Sequence, residues 1–301
     1  MKGLAVDALG SIYVASNTYD TTLPTTPGAF QTALENPGTG NSYDGFIAKI
    51  SSSTVTPEPS IFSGGIVPDD STVGTIQPGE WVSIYGTNLA TSTVVWSQNF
   101  PLSLGGTSVT IDGKNAYLWY VSPGQINLQV PDDAVTGAVP VVVTTANGIA
   151  TADVTLAEFA PAFLLLDGKH VAGIIPRPDG SGANGQGVDS YDILGPTGTS
   201  LGYPTVAAKA GDIVELFGTG FGPTSPAVPA GQAFSGAAAT TNAVNLLINN
   251  VRVTPIWAGL SGAGLDQINV TIPAGLGTGD VPLVAAVGGV QTPSYVLISF
   301  Q

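Results

Sequence analysis

The C-terminal two-thirds of this chain carries one sequence pattern twice. Pro78-Gly79-Glu80-Trp81-Val82-Ser83-Ile84-Tyr85-Gly86-Thr87-Asn88-Leu89 returns as Ala210-Gly211-Asp212-Ile213-Val214-Glu215-Leu216-Phe217-Gly218-Thr219-Gly220-Phe221, an offset of 132. Gln125-Ile126-Asn127-Leu128-Gln129-Val130-Pro131 then returns as Gln267-Ile268-Asn269-Val270-Thr271-Ile272-Pro273, an offset of 142. The order is kept and about ten residues are inserted between the matches, as in duplication of a whole domain and unlike the short period of a solenoid. Duplicated β modules more often extend, display or bind than catalyse.

Each copy reads as a β-sandwich. In the stretch 61–158, the segments 81–85, 107–111, 117–121, 126–130 and 139–145 are short runs of β-branched and aromatic residues separated by Gly, Asp, Asn and Pro. Strands at that spacing, with turn chemistry between them, form antiparallel sandwiches. Asp112-Gly113 is a hairpin signal, because both residues tolerate positive φ. The second copy spans 159–301, and Pro161-Ala162-Phe163-Leu164 echoes Pro59-Ser60-Ile61-Phe62, implying a shared first strand. The main departure is a Gly-rich insertion at 179–204, long for a loop without structure and so expected to be mobile or functional.

Composition narrows the function classes. Charged residues make up 9% of the chain, against about 25% in an average soluble domain. With 40 glycines and 23 prolines, long helices are not expected, while recurrent Val, Ile, Leu and aromatics can build cores and argue against disorder. Seven basic against 21 acidic residues give a net charge of −14, which excludes nucleic acid as a partner and disfavours an anionic membrane surface. No stretch approaches the roughly 18 apolar residues of a membrane span. The absence of cysteine rules out disulfides, thiolate metal sites and cysteine nucleophiles, and leaves the compartment open. Richness in Thr, Ser, Gly and Asn with few lysines is typical of exported proteins, so an extracellular or cell-surface location is expected.

Residues 1–50 form a separate unit. Leu4-Ala5-Val6-Asp7 leads through a turn at Ala8-Leu9-Gly10 to the alternating Ser11-Ile12-Tyr13-Val14-Ala15, a half-buried strand pattern. Together with Pro24-Thr25-Thr26-Pro27-Gly28-Ala29-Phe30-Gln31 and Asp44-Gly45-Phe46-Ile47-Ala48-Lys49, this segment resembles the SBBP-type β-propeller repeat. The resemblance implies one propeller blade. Propellers take about four to eight blades, and a lone sheet of this size buries too little to stand alone. The expectation is therefore the tail of a longer propeller chain, or packing on its own neighbours or on another copy. Met1-Lys2-Gly3 leads into strand-like sequence and not a signal peptide, so either the start lies upstream or export uses a route that is not legible. The Ser/Thr/Pro segment 51–60 reads as an extended, stiff linker.

The tandem region also carries a resemblance. Its marks are the repeated Pro78-Gly79-Glu80 run, Leu104-Gly105-Gly106-Thr107-Ser108-Val109-Thr110-Ile111-Asp112-Gly113, Tyr120-Val121-Ser122-Pro123-Gly124-Gln125 continuing to Pro131, and Gly279-Asp280-Val281-Pro282-Leu283-Val284. It resembles the uncharacterised C-terminal domain family of Solibacter-type acidobacterial proteins, and each half is similar to the IPT/TIG group of immunoglobulin-like folds. The resemblance implies tandem immunoglobulin-like domains on secreted proteins, with no established activity.

Chemistry-bearing constellations are few. Gly198-Thr199-Ser200-Leu201-Gly202 fits a nucleophile-elbow string, but that string needs a strand before it and a helix after it, and its surroundings suit a loop. His170 is the only histidine, which rules out a His-based zinc site within one chain, and Asp167-Gly168-Lys169-His170 suits a hairpin turn. Asp69-Asp70, Asp132-Asp133, and Asp179 with Asp189 and Asp192 offer the oxygen ligands that calcium prefers. The last set starts like an EF-hand loop but has Ala183 at its fifth position and no closing Glu. Gln125, Asn127 and Gln129, like Gln267, Asn269 and Thr271, share one strand face at period two. Such a ledge suits sugar hydroxyls, although a solvent-facing strand needs the same pattern. Period two also puts Tyr117 and Trp119 on one face, and Leu118 and Tyr120 on the other. One pair fills a core, and the other is a candidate aromatic platform for sugars or a protein partner. Trp96 is a further candidate.

These observations predict an all-β chain of tandem immunoglobulin-like β-sandwiches with an N-terminal propeller-blade-like segment. The expected role is a non-enzymatic structural or adhesive module without a cofactor, calcium being the one metal considered. It would assemble with itself through strand edges, as a homo-oligomer or filament, or contact other surface proteins. The alternative is a carbohydrate-binding accessory region of a larger secreted protein, with glycans contacted by Trp96, Tyr117 and Trp119.

Overall fold

The computed structural model describes residues 2–8, 10–20, 22–33, 43–51, 57–97 and 99–301. Leu9 of the first expected turn and residues 52–56 of the expected linker lie outside the described residues. The chain divides into two compact units, Met1–Thr56 and Pro57–Gln301.

The first unit is an antiparallel meander of β1 (Gly3–Val6), β2 (Ile12–Thr18) and β3 (Asp44–Ile50). Asp7 shapes the β1–β2 turn by accepting the Ser11 amide at 2.9 Å and the Tyr13 hydroxyl at 3.1 Å. Pairing aligns Leu4 with Val14 and Ala48, and Val6 with Ile12 and Ile50, so one face of the sheet is apolar. Leu4, Val6, Ile12 and Ile50 on that face are exposed, and Ser11 is the one buried residue among those described in this unit.

The second unit contains both sequence copies. In the first, one sheet runs in the order β4 (Ser60–Pro68), β6 (Trp81–Thr87), β11 (Gln125–Gln129), β10 (Tyr117–Val121) and β7 (Val94–Val95). The facing sheet runs β5 (Thr75–Ile76), β13 (Gly148–Leu156), β12 (Gly137–Thr145), β8 (Ser108–Ile111) and β9 (Lys114–Asn115). Inward residues alternate along each strand, and Val82, Ile84, Ile126, Leu128, Val141 and Val143 close one core between the sheets. Asp112 (φ 49°) and Gly113 (φ 74°) form the β8–β9 turn with positive φ at both positions, as a tight hairpin requires.

In the second copy, the larger sheet runs β16 (Tyr191–Ile193), β15 (Gly173–Pro176), β17 (Ile213–Thr219), β23 (Leu265–Thr271), β22 (Trp257–Gly262), β19 (Ser235–Thr240) and β18 (Thr224–Ser225), with β14 (Ala162–Phe163) also on β17. Opposite lie β21 (Val251–Val253), β20 (Asn245–Ile248), β24 (Gly279–Val287) and β25 (Val290–Gln291), with β26 (Leu297–Phe300) on β24. Their core is a separate cluster around Phe163, Phe221, Leu246 and Leu283.

Strand register repeats with the sequence. Tyr85 pairs with Gln125, and Phe217 with Gln267. Ile61 pairs with Gly86, and Phe163 with Gly218. The copies are therefore two sandwiches of one plan, and among the described residues the only helical turn is the 3₁₀ segment Gly187–Asp189.

Candidate binding cleft

The cleft is built on the outer face of the first sandwich. Because Val82 and Ile84 point into the core, Trp81, Ser83 and Tyr85 point out, opposite Gln129, Asn127 and Gln125. A β-bulge in β10 between Leu118 and Tyr120 changes the expected alternation. Leu118 and Val121 enter the core, so Tyr120 does not share the inward face of Leu118. The extra residue of the bulge is Trp119, 39% exposed. Its carbonyl accepts the Trp96 amide at 2.8 Å, which draws Trp96 alongside.

Trp81 is the centre of the resulting aromatic cluster. Its ring lies 5.9 Å from Trp96 and 5.7 Å from Trp119, both edge-on, and Phe100 packs 4.7 Å from Trp96. Such edge-to-face pairs hold one another in fixed orientation. The cleft beside them has a volume of about 680 Å³. Ser83, Tyr85, Gln125 and Asn127 line it from the first sandwich, and Leu164, Leu165 and residues 262–265 from the second.

The polar lining is a connected network. Gln125 Nε2 donates to Asn127 Oδ1 at 2.9 Å, and Asn127 Nδ2 donates to Ser83 Oγ at 2.9 Å and Asp69 Oδ1 at 3.1 Å. Ser83 Oγ in turn donates to Asp69 Oδ1 at 2.6 Å. Burial pushes the Asp69 carboxyl up, and the Ser83 and Asn127 bonds offset part of that rise. The second copy repeats the first link, Gln267 Nε2 to Asn269 Oδ1 at 2.9 Å.

Gln129, Asp70 and Asp132, of the expected ledge and acidic pairs, serve the joint between the sandwiches. Gln129 donates to Gly79 O at 2.9 Å and accepts the Gly231 amide at 2.9 Å. Asp70 Oδ2 accepts Leu165 N at 2.9 Å, and the Asp132 carboxylate accepts Ala230 N at 3.2 Å. Asp133 is paired with Lys114 at 3.0 Å. Tyr117 parts from Trp119: its ring packs on Gly231, where a side chain would collide with it, and it does not line the cleft. Trp96 and Trp119 line the same cleft, and Trp81 joins them. Its alternation with Ser83 and Tyr85, opposite the Gln/Asn ledge, is the sequence signal that marks it.

The structure does not bring Asp179, Asp189 and Asp192 into one calcium-binding group. Asp179 Oδ1 accepts the Ser181 amide and hydroxyl at 3.0 and 2.7 Å, and Asp189 lies in the 3₁₀ turn. Asp192 Oδ2 pairs with Arg177 Nε at 2.9 Å, and Arg177 Nη1 reaches Asp212 at 2.9 Å. Among the described residues, no three His, Asp or Glu side chains are grouped to hold a metal by themselves. The insertion is thereby folded, with β16 on β15 and bridges Asn184–Tyr191 and Gly198–Thr205.

His170 is 3% exposed and bridges Asp167 Oδ2 at 2.9 Å and Asp280 Oδ2 at 3.1 Å, with both ring nitrogens engaged. Ser200 lies exposed in a turn with no helix after it, so the strand–turn–helix setting of a nucleophile elbow is missing there.

This first-sandwich region, residues 65–157, matches the family described as the IPT/TIG domain. No curated protein matches the chain significantly. Among solved structures, a Bacteroides ovatus SGBP-B of the mixed-linkage glucan utilization locus, in complex with a mixed-linkage heptasaccharide, is similar at 12% identity and a TM-score of 0.34. That match covers 97% of this chain and 53% of the other, so the chain spans about half the length of that relative. An SGBP-B from a complex xyloglucan utilization locus in Bacteroides uniformis matches at 14% identity and TM-score 0.23, over 80% of this chain and 50% of its own. The titin immunoglobulin tandem A164–A165 matches at 11% identity and TM-score 0.20, over 81% of this chain and 96% of its own.

Proposed function

We propose that the chain is a non-enzymatic extracellular module whose cleft binds carbohydrate, as an accessory region of a larger secreted protein. One observation carries this reading: Trp81, Trp96 and Trp119 line the same cleft as Ser83, Gln125 and Asn127. Sugar rings offer an apolar C–H face that packs on an aromatic ring and a rim of hydroxyls that exchange hydrogen bonds with amide and hydroxyl groups. The cleft volume of about 680 Å³ is within the range of roughly 300–1,000 Å³ found for small-ligand sites. The resemblances of residues 1–50 to an SBBP blade and of the tandem 61–158 and 159–301 to the Solibacter-type family accord with such an attachment. The test is a screen of soluble oligosaccharides by calorimetry, followed by Trp119→Ala. Saturable binding by the native chain that the variant loses while keeping its circular dichroism spectrum supports the reading. No binding to any oligosaccharide, or binding that survives the substitution, rejects it.

A second reading is self-assembly or contact with another surface protein. It is favoured by the exposed apolar face of Leu4, Val6, Ile12 and Ile50 in the first unit.

A further inference from the structure

A second cavity, of about 370 Å³, opens at the joint between the sandwiches and shares Gly264 with the aromatic cleft. Three of its lining carboxylates, Glu80, Asp133 and Asp266, have one buried oxygen without a partner, and Glu80 and Asp266 are the two that are almost wholly buried. Glu80, 1% exposed, accepts the Gln77 amide through Oε2 at 2.6 Å, while its buried Oε1 has no partner. Asp266, 2% exposed, accepts the Phe221 amide through Oδ2 at 3.1 Å, while its buried Oδ1 has no partner. Leaving a buried polar oxygen unpaired costs about 1–3 kcal/mol, and more when it is charged. Two such oxygens on one cavity call for an explanation.

The internal duplication supplies a comparison. Asp212 stands 132 positions after Glu80 and closes the same turn, its Oδ2 accepting the Lys209 amide at 3.0 Å. Its other oxygen is neutralised by Arg177 at 2.9 Å. The first copy keeps the turn and lacks the cation. Asp266 is the complementary case. The corresponding position of the first copy is Gly124, and there the Leu89 amide is accepted by Pro123 O at 3.0 Å. The turn therefore does not require a carboxylate.

We propose that Glu80 and Asp266 hold a divalent, oxygen-preferring cation, calcium in the first instance, between the two sandwiches, in the role that Arg177 fills for Asp212. The donors are all oxygens, which suits calcium or magnesium and not the thiolate- and imidazole-seeking metals. Calcium accepts irregular sets of main-chain carbonyls and water beside carboxylates. A main-chain carbonyl is at hand, since the Ala160 carbonyl and Glu80 Oε1 converge on Gly220 (φ 79°), where a side chain would collide with each. Asp132, Asp133 and Glu158 also line the cavity and add to its negative field. With two nearly wholly buried carboxylates as its protein charges, the affinity belongs with weak extracellular sites, Kd about 0.1–1 mM. This set is separate from Asp179, Asp189 and Asp192, of which Asp179 is bonded to Ser181 and Asp192 to Arg177.

The experiment is calorimetric titration of the chelator-treated full chain with calcium chloride and then magnesium chloride, with thermal melts alongside. The expected result is a single-site isotherm and a Tm that rises with calcium. Both are lost in Glu80→Gln and in Asp266→Asn, and both are kept in Asp179→Asn. A native chain without an isotherm or a calcium-dependent Tm overturns the proposal, as does binding that survives in both joint variants. Should the variants fail to fold, the native isotherm still decides.

Discussion

The indole nitrogen of Trp81 donates to the carbonyl oxygen of Ala263 at 2.7 Å. The ring at the centre of the aromatic cluster thus also fastens the first sandwich to the second, and the Trp81 amide adds a bond to Thr219 Oγ1 at 3.2 Å. Cleft shape and inter-sandwich orientation share one side chain. Trp81→Phe keeps most of the apolar area and loses the indole bond, so a cost of about 1 kcal/mol is expected, a Tm lower by roughly 2–4 °C. Among the described residues Trp119 makes no side-chain hydrogen bond across the joint, so Trp119→Ala is expected to lower Tm only through its lost edge-on packing on Trp81. Melting curves for the two variants, set beside their oligosaccharide affinities, separate the joint from the binding surface. Equal losses of Tm would contradict this division.

The duplicated plan was legible because a strand face is fixed by period two, and a shared offset carries the pairing register with it. Tyr85 meets Gln125, and Phe217 meets Gln267, as the offsets of 132 and 142 require. The site was legible only in part. Trp96 and Trp119 lie 23 residues apart and meet through a backbone bond at a bulge, and nothing local in Tyr117-Leu118-Trp119-Tyr120 announces that extra residue. Period two therefore joined Tyr117 to Trp119, whereas the structure sends Tyr117 to Gly231. The orphaned oxygens of Glu80 and Asp266 lie beyond sequence reading altogether, because they arise where one sandwich covers the other.

Those oxygens set a pH dependence with a definite sign. Burial, with Asp266 nearby, holds the Glu80 carboxyl well above its ordinary value, and burial raises Asp266 to about 7. A carboxyl with a raised folded-state pKa binds its proton more tightly when folded. Its contribution is complete below the unfolded value and is lost as pH rises through the folded one. In the presence of chelator, stability is therefore expected to decline between pH 4 and about 7, by something on the order of 4 kcal/mol for Asp266 alone. Asp266→Asn removes that limb. Denaturant midpoints across a pH series test this, and a native profile parallel to that of the variant would refute it.

His170 acts at the opposite end of the pH scale. Against burial, hydrogen bonds from His170 hold Asp167 below the usual carboxylate range, and Ser299 and His170 do the same for Asp280. Depressed carboxylates contribute above their unfolded pKa and lose that contribution as pH falls through the folded value, so this bridge weakens below about pH 4. Both partners are partly exposed, which discounts the pair. His170→Ala is expected to cost about 2 kcal/mol near neutrality, with a smaller difference in strong acid. Urea midpoints for the variant at the two pH values measure it, and a loss independent of pH would point to packing alone.

The first unit raises a question of association. Val6, Ile12 and Ile50 are aligned across its three strands and all are exposed, with Leu4 and Val14 in the next row of the same face. An apolar sheet face of this kind gains roughly 25 cal/mol for each Å² it hides from water, and among the described residues of the unit Ser11 alone is buried. The full chain is thus expected to form concentration-dependent larger species. Lysines at the two ends of the row, Val6→Lys with Ile50→Lys, leave main-chain pairing intact and put charge on the face, so association should drop while the sandwiches keep their Tm. Light scattering after size exclusion reads this directly. A native chain that stays monomeric across the concentration series removes self-assembly through this face, and association unchanged in the double variant moves it to another surface.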